Sequence, residues 1–244
     1  MTENQDTCIL LFLKYPEKGK VKLRLSRDLD EEIVQELYRC FVQDTLTMIK
    51  KINAPLFICF HPPDAQRKFQ GWLGSTFRFL PQKGEDLGER MKNSFADVFT
   101  KGFQNVILMG GDSPDLPEDY IKQAFITLRT KDVVLGPTVD GGYYLIGFKN
   151  TTFPPSVFEE IHWSSPMVFQ ETVTKIQQAH RSIGFLPVWS DVDTLTDLKN
   201  LVSRTRNTSF KSSHTMTYLS HQHIIVERDH GEKSSTKSSK NISC

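Results

Sequence analysis

Short apolar runs alternate with helix-like patterns over the first 202 residues, and this alternation constrains the fold more than any other feature of the chain. Several runs are continuously apolar, as in strands buried on both faces of a sheet. The runs are Cys8–Leu13, Leu56–Phe60, Phe77–Leu80, Val106–Met109, Val133–Leu135, Tyr143–Ile146 and Phe185–Trp189. Between them, apolar residues recur at helical spacing, as at Ile33, Leu37 and Phe41. The pattern predicts an α/β domain with a single doubly wound, mostly parallel sheet.

Composition excludes several classes of protein. The formal net charge is +1, so we expect no nucleic-acid partner. No apolar run approaches the roughly 20 residues that a membrane span needs, and the polar, acidic start does not resemble a signal peptide. The four cysteines lack metal-ligand spacing, which favours a reducing, cytoplasmic location. They are Cys8, Cys40, Cys59 and Cys244.

The composition changes near residue 203. Residues 203–244 contain ten Ser, five Thr, and seven Lys or Arg against three Asp or Glu. Such a segment has little to bury, so we predict a domain over residues 7–202 and a mostly disordered tail over 203–244. The segment from Glu232 to Ser243 is the extreme case, whereas Tyr218 and Ile224 lie in short apolar stretches that could add a strand. Truncation at residue 203 is expected to leave folding intact.

A basic loop follows the first predicted strand, where parallel sheets bind ligands. Lys18, Lys20, Lys22 and Arg24 alternate along it, so an extended backbone would place all four on one side. Such a cluster predicts a phosphate-binding loop, although neither GxxxxGK[ST] nor GxGxxG is present. The alternative is a basic loop exposed to solvent.

Acidic residues follow later strands. Asp112 comes after Val106–Met109, and Asp191 and Asp193 come after the last strand; together they could hold Mg²⁺ or Mn²⁺ through hard oxygen ligands. The alternative is helix capping, for which Asp115 is better placed than Asp112. Asp-Gly-Gly at 140–142 is either a tight hairpin turn or a place where a substrate approaches the backbone.

Six motifs in this order resemble the DUF2064 family, GT-A-type glycosyltransferases related to small guanylyl- and cytidylyltransferases. The motifs are Lys14-x-Pro-x-x-Gly-x-Val-Lys-x-Arg-Leu25, Asp86-Leu-Gly-Glu-Arg-Met91, Gly111-Asp-Ser-Pro114, Gly136-Pro-x-x-Asp-Gly-Gly-Tyr-Tyr-Leu-Ile-Gly147, His162-Trp-Ser-Ser165 and Asp191-Val-Asp-Thr-x-x-Asp-Leu198. The resemblance covers roughly residues 7–202.

The resemblance implies a nucleotide sugar or nucleoside triphosphate bound across the amino-terminal half of the sheet, with Mg²⁺ or Mn²⁺ on its phosphates. It assigns phosphate and nucleoside contacts to Lys14, Lys22, Arg24, Gly88 and Arg90. The implied metal ligands are Asp112, Asp191 and Asp193. The implied sugar or acceptor contacts are Gly141, Gly142, Trp163 and Ser164.

The reaction that we expect is metal-dependent glycosyl transfer from a nucleotide-diphospho-sugar to an unidentified acceptor. Asp140 is the first candidate for a general base and His162 the second. One alternative is nucleotidyl transfer to a phosphorylated acceptor with release of pyrophosphate. Another is a non-catalytic module that binds nucleotide sugars. The sequence assigns no oligomeric state.

Overall fold

The computed structural model describes residues 6–222 and 224. Its strands are β1 (Thr7–Lys14), β2 (Leu56–His61), β3 (Arg78–Pro81), β4 (Asn105–Gly110), β5 (Val133–Pro137), β6 (Tyr143–Lys149) and β7 (Ile183–Phe185). Its helices are α1 (Glu31–Ile49), α2 (Gln66–Leu73), α3 (Leu87–Phe99), α4 (Glu118–Thr130), α5 (Val168–Gln178), α6 (Leu195–Thr205) and α7 (His214–His221). None of the helices in the described part of the chain is long and apolar enough to cross a membrane.

All seven strands belong to one sheet, in the order β3-β2-β1-β4-β6-β5-β7. Only β6 runs against the others among these strands: it is antiparallel to both β4 and β5. The reason is the short turn over residues 138–142, because two adjacent strands joined so closely must be antiparallel. The predicted mostly parallel α/β sheet is confirmed.

Alternate residues of the central strands enter two separate apolar layers. In β1, Ile9, Leu11 and Leu13 pack on the side of α1, α2 and α4, whereas Cys8 and Leu10 pack on the side of α3 and α5. Each of these five side chains is at most 1% exposed. The sheet is therefore covered on both faces, as the continuously apolar strands predicted.

A third apolar cluster joins the second face of α1 to the end of the chain. Phe41 of α1, Leu201 of α6 and Leu219 of α7 are among its buried members. A buried carboxylate of α1 also caps α7: the amides of His214 and Thr215 donate to Asp44 at 2.8 and 2.9 Å. The segment up to α7 is thus packed against the domain.

This packing differs from the composition-based boundary at residue 202. The described helices α6 and α7 extend beyond it, and Tyr218 lies in a helix, not in an added strand. Truncation at residue 203 would remove Leu219 from the third apolar cluster, so we now expect it to destabilise the domain; the boundary at 202 itself stays a prediction. Beyond residue 203, Leu219 and four partly buried side chains, Phe210, Met216, Tyr218 and Ile224, join the third cluster. The predicted disorder of residues 232–243 lies outside the described residues.

Candidate active site

The loop after β1 places one cation inside the protein. Lys22 lies close to two buried anchors, Val21 and Leu25, and has a φ of +47°, which is uncommon for a residue with a side chain. Its side chain is 4% exposed, with Nζ 2.5 Å from Asp112 Oδ1 and 2.8 Å from Asp193 Oδ1. Burial alone would lower the pKa of Lys22, but the two carboxylates raise it to about 12, so the ammonium group is charged.

The remaining cations of this loop do not share one orientation. Lys18 binds Glu32 on α1 at 2.6 Å, Lys20 binds Glu17 within the loop at 2.6 Å, and Arg24 is 59% exposed. The expectation that all four basic side chains lie on one side is wrong, because the segment folds into turns instead of extending.

Two loops bring the three predicted metal ligands together. The backbone amide of Val192 donates to the Asp112 carbonyl at 2.9 Å, and Ser113 Oγ donates to Asp191 Oδ1 at 2.5 Å. These bonds hold the loop after β4 against the loop that carries Asp191 and Asp193. Residues about 80 positions apart therefore meet at the carboxyl edge of the sheet.

The two carboxylates of the second loop have opposite electrostatic surroundings. Burial and then the nearby Asp112 carboxylate raise the pKa of Asp191 to about 7. Burial would also raise the pKa of Asp193, but Lys22 and Arg24 outweigh it and lower the pKa below its usual value. The site thus combines one carboxyl group that holds a proton easily with one that stays ionised.

The oxygen donors of this cluster suit a divalent metal, but their present arrangement does not form a metal site. Three carboxylates are the hard oxygen ligands that Mg²⁺ and Mn²⁺ prefer. Within residues 6–222 and 224, however, no three His, Cys, Asp or Glu side chains are arranged ready to hold a metal ion. Lys22 instead occupies the space between Asp112 and Asp193.

The capping alternatives apply to other residues. Asp115 does not cap α4, whose N-cap residue is Pro117; its carboxylate accepts two hydrogen bonds from Arg204. At α6, Thr194 and Asp197 form a capping box. The side chains of Asp112 and Asp193 do not cap these two helices and pair with Lys22.

Three adjoining cavities meet at Arg24 and Asp193, which line all of them. The loop cavity, of about 400 Å³, is lined by the basic loop together with Lys14, Tyr38 and Asp112. The central cavity, of about 600 Å³, lies next to Asp140 and Asp191. The small cavity, of about 210 Å³, continues toward α6. Lys14, Lys22 and Arg24, predicted to bind phosphate, and the predicted base Asp140 therefore border these adjoining cavities, which are together called the cleft.

Asp140 is held in place by its own turn. Its Oδ1 accepts hydrogen bonds from Thr138 Oγ1 at 2.6 Å and from the Gly142 amide at 3.3 Å. Asp140 and Gly142 both line the central cavity. Packing also requires a glycine at 141, because its φ is +92° and a Cβ atom there would lie 2.0 Å from the Pro166 carbonyl oxygen.

Gly88 also serves packing. A Cβ atom on Gly88 would lie 2.5 Å from the Phe158 carbonyl oxygen and 2.7 Å from Trp163 Cζ2. The missing side chain lets the Trp163 indole lie on the start of α3, where it forms part of the wall of the central cavity. Arg90, on the same helix, donates to the carbonyls of Gly84 and Glu85 and so fixes the preceding loop.

His162 lies away from the carboxylate cluster. Its side chain is 82% exposed, and Nδ1 is 2.9 Å from Glu171 Oε1. The central cavity is lined instead by the residues that follow it, including Trp163 and Ser164. Between the two predicted bases, the structure brings Asp140 to the cleft and not His162.

Sequence analysis missed Tyr38 and Thr138. The hydroxyl of Tyr38, on the buried face of α1, accepts the Lys14 amide proton at 3.2 Å and borders the loop cavity. Tyr38 was not singled out in the predicted helix, and no local signal marked it as a polar group that lines a cavity. Thr138 lies in the Gly136–Gly147 motif, which could have identified it.

Comparison with solved structures gives a close match. A candidate nucleotide-diphospho-sugar transferase from Desulfovibrio desulfuricans G20 superposes with a TM-score of 0.86 and 43% identity, over 90% of this chain and 96% of that one. CMP:2-keto-3-deoxy-manno-octonic acid synthetase complexed with CTP gives a TM-score of 0.53 at 10% identity, over 82% and 98%. Rv0371c of Mycobacterium tuberculosis H37Rv complexed with manganese gives 0.51 at 16%, over 81% and 97%. The last two show the fold alone.

Comparison with curated proteins gave no significant match. The DUF2064 family, described as an uncharacterized protein conserved in bacteria, matches residues 45–165. The similarity extends beyond that range, because the 43% identity with the Desulfovibrio protein covers 90% of this chain. The chain belongs to the DUF2064 family.

Proposed function

We propose that this protein is a glycosyltransferase that takes its sugar from a nucleotide-diphospho-sugar and uses Mg²⁺ or Mn²⁺. The observation that carries the proposal is the single cleft in which Lys22 and Arg24, three carboxylates and Asp140 meet. The similarity to the Desulfovibrio protein supports the same class of donor.

The loop cavity would take the diphosphate of the donor. Lys14, Lys22 and Arg24 line it, and their cationic groups can pair with phosphate oxygens. When the bond to the sugar breaks, charge accumulates on the departing nucleoside diphosphate. These cations would then stabilise the transition state more than the ground state.

The metal would lie with Asp112, Asp191 and Asp193, whose oxygens suit it chemically. A divalent ion there would neutralise charge on the leaving diphosphate. Gly88 and Arg90 would act at the nucleoside end indirectly, by shaping the loop and the wall that face it.

The central cavity would hold the sugar and the acceptor. Trp163 and Gly142 offer an apolar wall and an open stretch of backbone, and Ser164 adds a hydroxyl group. Asp140 would take the proton from the attacking acceptor hydroxyl. Its Oδ1 is fixed by two donors, which orients the carboxylate as a general base requires.

A thermal-shift panel of nucleoside diphosphates, nucleoside triphosphates and nucleotide sugars, each with and without Mn²⁺, tests the proposal. A ligand that binds the folded state raises the melting temperature. We expect a metal-dependent shift with a nucleotide sugar that is lost in Asp112→Asn. The control is Asp119→Asn, an equal charge change at a side chain that is 82% exposed. The absence of any shift would contradict the proposal.

The product distinguishes the rival reactions. Glycosyl transfer releases a nucleoside diphosphate from the donor found in the panel. This release is measured with water or simple sugars as acceptors. In Asp140→Asn, we expect that release to fall by about 100-fold or more with the thermal shift retained. Pyrophosphate release from a nucleoside triphosphate would show nucleotidyl transfer instead. Binding without turnover under any combination would show a non-catalytic module.

A further inference from the structure

The ammonium group of Lys22 occupies the position that a metal would need. Its Nζ is within 2.8 Å of one carboxylate oxygen of Asp112 and one of Asp193. A magnesium ion would bind such oxygens at about 2.0–2.1 Å, so the ion and the ammonium group compete for the same lone pairs.

This ammonium group is a fixed part of the interior. The side chain is 4% exposed, and its Nζ lies 5.9 Å from the centroid of the Phe41 ring. The neighbouring Val21 is buried. By contrast, Lys18 in the same loop is 53% exposed and binds Glu32 on α1. Of Lys18 and Lys22, only Lys22 is close enough to neutralise the charge of the predicted metal ligands.

We propose that Lys22 is an internal counter-ion that keeps free divalent metal out of the carboxylate pair until a diphosphate arrives. Asp112 and Asp193 are 46% and 36% exposed, so a metal ion could reach them, but it would come within a few ångströms of the buried ammonium group and be repelled by it. Diphosphate oxygens in the loop cavity would give the ammonium group a new partner and release Asp112 and Asp193. Metal and diphosphate would therefore bind together. This second half rests on the proposed function, whereas the exclusion of free metal does not.

The first test measures the binding of Mn²⁺ alone, from the electron paramagnetic resonance signal of the free ion. Lys22→Met keeps the length of the side chain and removes its charge. We expect it to bind Mn²⁺ at least about tenfold more tightly than the wild type. Lys18→Met makes the same charge change outside the cluster and should match the wild type. Equal affinity in the wild type and Lys22→Met, or an equal gain in Lys18→Met, would overturn the proposal.

The second test uses pyrophosphate as the probe. In calorimetry, we expect the preformed Mn²⁺–pyrophosphate complex to bind the wild type at least about tenfold more tightly than Mn²⁺ alone. If the complex binds no more tightly than Mn²⁺ alone while Lys22→Met still gains affinity for Mn²⁺, diphosphate binding and the proposed function are refuted. The role of Lys22 as a counter-ion that excludes free metal would then stand. If Lys22→Met does not fold, Lys22→Gln replaces it. If neither folds, tight binding of Mn²⁺ alone to the wild type overturns the proposal.

Discussion

Arg204→Met leaves the carboxylate of Asp115 buried without its guanidinium partner. Nε and Nη2 of Arg204 donate to the two oxygens of Asp115 at 2.7 and 2.8 Å, and the Asp115 side chain is 3% exposed. Trp189 Nε1 remains as a longer donor at 3.3 Å. Removing one partner of a buried pair costs about 3–5 kcal/mol. Because Arg204 is itself 27% exposed, we expect the lower end, about 3 kcal/mol.

Urea denaturation and thermal melting check this value. A loss of about 3 kcal/mol corresponds to a fall of about 6–12 °C in melting temperature for a domain of this size. Arg206→Met is the matched control, since Arg206 is exposed and lies two residues further on. Asp115→Asn combined with Arg204→Met should cost less than the sum of the single changes. A loss below about 1 kcal/mol in Arg204→Met, or strict additivity, would refute the reasoning.

Two further predictions concern the end of the chain and the acidic cluster. Leu219→Ala, in α7, should destabilise the domain by about 2–4 kcal/mol in urea denaturation, because the side chain is 3% exposed in the third apolar cluster; a loss within 0.5 kcal/mol of zero, which is typical of surface changes, would contradict the packing of α7. In metal-free protein, the raised pKa of Asp191 means that the folded state holds a proton that the unfolded state releases, so stability should fall as pH rises from about 4 to about 7. Asp191→Asn should flatten that part of the stability–pH curve; an unchanged slope would contradict the assignment.

The sheet and its two layers could be predicted from the sequence because strands buried on both faces are visible as apolar runs. The helix α7 could not. Leu219 is its one buried apolar residue in the third cluster, and Asp44, whose carboxylate accepts the His214 amide, is 170 residues away. Its one local signal is the N-cap serine Ser213, which accepts the Met216 amide, and a Ser-rich segment offers such a residue at many positions.

The candidate site shows the same limit. The sequence predicted that Asp112, Asp191 and Asp193 follow strands and therefore converge, and the structure brings them together. It could not predict that Lys22 lies among them, since the partners are 90 and 171 positions away. Gly88 and Gly141 were assigned to ligands through the resemblance to the family. The sequence could not predict that a Cβ atom at these positions would meet Trp163 and Pro166.

The contact between Lys22 and Asp193 also has a consequence for biosynthesis. Because its two members are 171 positions apart, a growing polypeptide must add 171 residues after Lys22 before the matching carboxylate exists. The contact therefore cannot form on a nascent chain until Asp193 has left the ribosome. A chain that stops before residue 191 lacks both Asp191 and Asp193, so a prematurely terminated product cannot form the carboxylate cluster.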